Sequence, residues 1–194
     1  MIMTGLTITD FQEAAKELNI DVPVIMAVAD VESAGDGFLK DGRPKILFEA
    51  QWFSKFTNGK FNLSHPNISS PKWDRTLYKG GAREYTRLEE AKKLDLIAAL
   101  MSTSWGMFQI MGFNFELCGF DNVIDFVKSN YNGVKSQLMS FVSYLKKRNI
   151  HTFLLARDWA KFAKFYNGPG YKVNHYDEKL KKAYFKYLES YNNE

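Results

Sequence analysis

Apolar residues in this chain recur mostly at helical spacing, with only one short region that alternates like a strand. Thr9 and Gln12 read as a capping box that opens a helix ending near Asn19. Asp21 caps a second helix with Pro23 in its first turn, and Gly35 and Gly37 stop it after Glu32. Two short apolar stretches in "GFLKDGRPKILFE" flank Asp41-Gly42, a strong hairpin signal. Helix can resume over 50–57, whereas 58–81, rich in Asn, Ser, Pro and Gly, reads as an irregular surface excursion.

Thr86 and Glu89 form another capping box, starting one long helix that runs into "DLIAALMST". Helical patterns then cover 121–130, 133–148, 158–166 and 175–191. Phe162 and Phe165 point inward from the third of these. The last pairs a lysine face with Tyr184, Phe185, Tyr187 and Leu188, expected on the core. The predicted fold is α+β and mostly helical, with one small β-hairpin, in a single domain over 1–194.

One position in this pattern is anomalous. The second helix runs Val24, Ile25, Ala27, Val28 and Val31 along one stripe and then ends on Glu32. An acid in a last turn opposes the macrodipole, and apolar neighbours resist its ionisation. Such a placement costs stability and calls for a chemical reason.

Composition narrows the reasons. With 45% hydrophobic and 15% aromatic residues among 194, the chain is no disordered tail. No apolar run approaches the roughly 18 residues of a membrane span, and "MIMTGLTITDF" lacks the layout of a signal peptide. The single Cys118 reads as a small buried hydrophobe suited to a reducing compartment. The net charge of +4 favours an anionic polymer without naming one, and its spread, with no basic block, argues against nucleic acid. His65, His151 and His175 lie far apart in sequence, so neither a metal nor a cofactor is expected.

Two later stretches carry polar residues in apolar settings. In "STSWGMFQIMGFN" the lone Gln109 stands among Trp105, Met107, Phe108, Ile110 and Met111. In "FAKFYNGPGYKVNHY" a helix stops at Tyr166-Asn167-Gly168. Singly these are a glutamine satisfying backbone groups and an ordinary helix stop. In order, "ESAGDGFLKDGRPKILFEAQWF" (32–53), "SWGMFQIMGFN" (104–114) and "FYNGPGY" resemble the motifs of the lysozyme-like and lytic transglycosylase superfamily. The closer likeness is to the phage endolysin N-acetylmuramidases, over roughly residues 20 to 190.

That resemblance implies a lysozyme-like fold and hydrolysis of bacterial peptidoglycan between N-acetylmuramic acid and N-acetylglucosamine, with Glu32 as general acid. A lytic transglycosylase giving 1,6-anhydro products and a non-catalytic wall-binding module are the alternatives. Ser33, Gln109, Tyr166 and Asn167 would bind substrate or orient the acid. Trp52, Trp73 and Trp105 could stack on sugars, Trp105 in the most core-like context. With no signal-peptide layout, no membrane span and one thiol, the chain is expected to be a soluble monomer that waits in the host cytoplasm until another protein breaches the membrane.

The second carboxylate has two candidates. A straight hairpin about Asp41-Gly42 pairs residues summing to roughly 83–85, which sets Glu49 opposite about 34–36, beside Glu32. Asp41 would then lie at the tip, ~20 Å or more away. The Glu32-to-Asp41 spacing resembles that of phage-type lysozymes, but Leu47 stands where those enzymes carry a threonine.

Overall fold

The computed structural model describes residues 5–33 and 36–192. Gly35, expected to stop the second helix, lies outside them, as do residues 1–4 of the segment read as lacking a leader.

Helix α1 (Ile8–Leu18) does start with a capping box, but two residues earlier than Thr9 and Gln12. The Thr7 side chain accepts from the Asp10 N–H while Asp10 accepts from the Thr7 N–H at 2.9 Å. Asn19, in the left-handed region at φ 53°, ends the helix. Helix α2 (Val22–Glu32) is buried from Pro23 through Ala29, the pattern of a helix at the centre of a core rather than on its surface. Asp21 occupies its N-cap position without capping, because its carboxylate pairs with Arg157 instead.

The hairpin expectation needs correction. Around Asp41-Gly42 the described residues form one bridge, Phe38 to Pro44, with Leu39 N–H donating to Arg43 O and Lys45 N–H to Gly37 O. Strand β1 (Ile46–Phe48) finds its partner farther along the chain. It pairs antiparallel with β2 (Thr103–Trp105), which pairs with β3 (Ile110–Met111). Helix α3 (Ala50–Phe56) follows β1 directly, with Glu49 as its N-cap.

The single long helix expected from Thr86 is two. Helix α4 (Glu84–Leu94) starts before Thr86, and Asp95 ends it and caps α5 (Leu96–Met101). Beyond the sheet come α6 (Val123–Tyr131), α7 (Val134–Lys147), an unforeseen short α8 (His151–Leu155), α9 (Trp159–Asn167) and α10 (Tyr176–Asn192). Helix α10 packs along α2, while α1 packs on both α2 and α7. Tyr184 and Tyr187 are buried as expected, but Phe185 and Phe165 are half exposed, Phe165 stacking on Phe153. Cys118 is buried, and burial pushes its thiol up to about 12.

Candidate active site

Glu32 is the last residue of α2, and Asn167 the last of α9. Asn167 Nδ2 donates to Glu32 Oε2 at 2.7 Å. Glu32 Oε1 and Asn167 Oδ1 are both buried with no hydrogen-bond partner among the described residues. Burial pushes the Glu32 carboxyl up to about 7, against the opposing pull of the Asn167 bond. Near neutral pH this group therefore still holds a proton, and the helix end favours that neutral form.

Tyr166 sits one residue before Asn167, stacked on Phe162 and edge-on to Phe141. Burial first, then the nearby charge of Glu32, raises its phenol well above the usual range. Tyr166 also forms one wall of a cleft of about 210 Å³ that it shares with Gln109, Met111, Asn114 and Tyr144. A larger hollow of about 610 Å³ between α2 and α10 lies over Asp30, Tyr176 and Lys186. The smaller cleft adjoins the acid's own partner, so it is the better candidate.

Gln109 lines that cleft, yet its amide is committed inward. Its Oε1 accepts from Ser104 Oγ at 3.0 Å, and its Nε2 donates to Gly106 O at 2.8 Å and Lys45 O at 3.3 Å. These bonds hold the residue at φ 48°, an uncommon conformation for a side chain of this size. Its observed role is to lock the β2–β3 turn. Gly106 in the same turn could not be another residue: its φ is +70°, and a Cβ there would meet Asn130 Oδ1 at 2.5 Å. Gln137, which the sequence did not single out, holds the turn from below by accepting from Met107 N–H at 2.8 Å.

The two second-carboxylate candidates fare differently. Asp41 is exposed and tied to Arg43 by a 2.7 Å ion pair and a bond to the Arg43 N–H, which together lower its pKa. Its work is to hold the turn. Glu49 continues the extended backbone of β1 by one residue, at φ −103° and ψ 98°. By the pleat it shares a face with Leu47, which pairs with Ser104, itself opposite Met111 of the cleft. Among the described residues no direct hydrogen bond joins Glu49 to Glu32, Asn167 or Gln109; its Oε2 accepts instead from Tyr78 Oη at 2.6 Å.

A family profile described as N-acetylmuramidase matches residues 21–188. The chain belongs to the N-acetylmuramidase family. Among solved structures it is similar to that of the Burkholderia AP3 phage endolysin, at a TM-score of 0.90 and 38% identity, over 95% of this chain and 72% of that one. No curated protein matches the sequence. The fold is lysozyme-like, mostly helical with a small three-stranded sheet, and the muramidase is a glycoside hydrolase that degrades peptidoglycan.

The remaining residues of this muramidase sort by what they touch. Ser33 is the half-buried C-cap of α2, its N–H donating to Ala29 O at 3.0 Å. Trp105 is core, and its Nε1 donates to Leu100 O. Trp52 packs against Phe113 and Phe56. Trp73 is exposed. Sequence reasoning missed Tyr78, Glu84, Arg87 and Gln137. Only the buried ion pair left a trace, as an acid and a base at i and i+3 in the first turn of α4.

Proposed function

We propose that Glu32 is the general acid of this muramidase and that Glu49 is the second catalytic carboxylate. The bond cleaved is the β-1,4 link from N-acetylmuramic acid to N-acetylglucosamine. One observation carries the reading: a helix-terminal carboxyl, buried beside the cleft, with one oxygen unpaired and its pKa up to about 7. Glycoside cleavage needs a carboxyl that can still protonate the leaving oxygen near neutral pH. A glutamate at about 4.3 would be almost wholly ionised there. An apolar pocket raises the catalytic acid of lysozyme by the same physics.

Once the proton has left, Asn167 Nδ2 donates to the new carboxylate, while water attacks the sugar with help from Glu49. Tyr166 and the Gln109 turn shape the cleft around the N-acetyl sugars, with Ser33 next to the acid as the C-cap of α2. Asn167 acts as the acid's partner first and a sugar ligand second. The whole of 1–194 works as one catalytic domain and as a monomer. The likeness to a phage endolysin supports action from the host cytoplasm once another protein has opened the membrane.

The test is turnover on purified peptidoglycan, with products weighed by mass spectrometry. Glu32→Gln should lose ~10²–10⁴-fold in rate, the usual worth of a general acid. Glu49→Gln should fall strongly as well, and Asp41→Asn should stay within about twofold, as an exposed ion pair warrants. Products should carry reducing ends rather than anhydro ends, which are one water lighter. An active Glu32→Gln would overturn the assignment of the acid, and an inactive Asp41→Asn beside an active Glu49→Gln would exchange the two candidates.

A further inference from the structure

The 58–81 excursion carries no motif, yet it wraps Glu49. Ser70 N–H donates to Ala50 O at 3.1 Å, one residue past Glu49. At the other end, Lys79 and Gly80 N–H donate to Glu84 Oε1 at 2.5 and 2.8 Å. The same glutamate accepts from Phe48 N–H, and Arg87 Nη1 donates to both Glu84 and Phe48 O. One buried ion pair thus clamps the residue before Glu49 together with the residues after Tyr78.

Between those anchors lies a directed chain of hydrogen bonds. Trp73 Nε1 lies 2.9 Å from Tyr78 Oη, and Tyr78 Oη 2.6 Å from Glu49 Oε2. Indole N–H can only donate, so the phenol proton must point to the carboxylate. Burial and the Glu49 bond push the Tyr78 phenol up to about 12, so it keeps that proton throughout the working range. Trp73 is 61% exposed with its one polar atom turned inward, so what it offers to solvent is apolar ring surface. An indole pinned in this way beside a carboxylate suits the C–H face of a pyranose.

We propose that Trp73, Tyr78 and Glu49 act as one unit, in which Trp73 holds a sugar ring of the glycan strand and Tyr78 fixes the Glu49 carboxylate. The unit rests on the reading of Glu49 given above. Tyr78 is a positioning residue and Trp73 a binding one. Tyr78 is the titratable group in direct contact with Glu49, and Arg87 of α4 is close enough for its charge to act on Tyr78.

The experiment compares Tyr78→Phe, Trp73→Ala, Trp73→Phe and Glu49→Gln in the full chain, using kcat, KM and pH profiles on peptidoglycan. Calorimetry with a β-1,4 N-acetylglucosamine hexamer, in a Glu32→Gln background, reads binding without turnover. Matching melting curves exclude misfolding as the cause of a loss. Tyr78→Phe should lower kcat about 10- to 100-fold with KM held, the worth of a hydrogen bond to a charged group. Trp73→Ala should raise KM roughly five- to tenfold and weaken hexamer binding alike. Trp73→Phe, with a ring but no N–H, should restore binding.

A Tyr78→Phe variant with the parent's kcat and pH profile, or a Trp73→Ala variant with the parent's KM and hexamer affinity, would overturn the unit. If Glu49→Gln is inactive while those variants are normal, the unit alone fails. If Glu49→Gln is fully active, the reading of Glu49 fails with it.

Discussion

Glu32 and Glu84 are both helix-terminal glutamates removed from water, and they are treated in opposite ways. Glu84 opens α4, where the macrodipole favours an acid, and Glu32 closes α2, where it does not. Glu84 is 0% exposed and accepts from three backbone N–H groups and the Arg87 guanidinium. Among the described residues Glu32 accepts from Asn167 alone and keeps a buried oxygen unpaired. Both carboxyls are held largely out of water, so burial alone does not mark out the candidate acid. What separates them is how many donors the fold supplies to the charged form.

The sharpest way to break this contrast is to remove the satisfied charge. Glu84→Gln strands Arg87 in the interior and turns an amide toward donors, so it should cost about 3–5 kcal/mol in denaturant unfolding. A loss below about 1 kcal/mol would mean that the clamp is dispensable.

Glu32→Gln should act in the opposite direction, and only in one pH window. The folded carboxyl binds its proton up to about 7, the free one up to about 4.5. The stability this gives is complete below the lower value and is lost as pH rises through the upper one. Wild type should therefore lose about 3 kcal/mol between those limits, each tenfold change in proton affinity being worth about 1.4 kcal/mol. The variant should not, so it should be the more stable protein at pH 8 and no more stable at pH 4. Melting temperatures measured across pH read this directly, and a flat difference would sink it.

The smallest effect sharpens the comparison instead. Asn167→Ala removes the one donor that pulls the Glu32 pKa down. The basic limb of the activity profile should then move to higher pH by less than about one pH unit. A limb that moved down would show that something other than Asn167 governs the acid.

The acid was legible because its oddity is local: an apolar stripe, a helix end and a carboxylate within one segment. Gln109 and Asn167 were legible for the same reason, as polar residues at apolar turns. Strand pairing was not. Asp41-Gly42 announces a turn but cannot say which strand follows up, and β1 takes its partner from residues near 104, where Ser104 Oγ reaches Leu47 O. The first-turn acid of α4 was overlooked for the same cause, since three of its donors, the N–H groups of Phe48, Lys79 and Gly80, lie outside its own helix. Tyr78 could not be seen at all. It reaches Glu49 out of a segment with no periodicity, and only folding brings them together.

Asp95 has a bearing on how this chain can drift in length. The same residue closes α4 through its N–H to Ala91 O and caps α5 by accepting from Ala98 N–H at 2.9 Å, so nothing separates the two helices. Adding one residue there would turn α5 by roughly 100° about its axis. The Leu100 carbonyl would swing away from the Trp105 indole, and the packing of Gly112 against it would be lost. By contrast Leu63, 99% exposed in the 58–81 excursion, sits where extra residues meet only solvent. Length variation among relatives should therefore gather around Leu63 and leave the α4–α5 joint untouched.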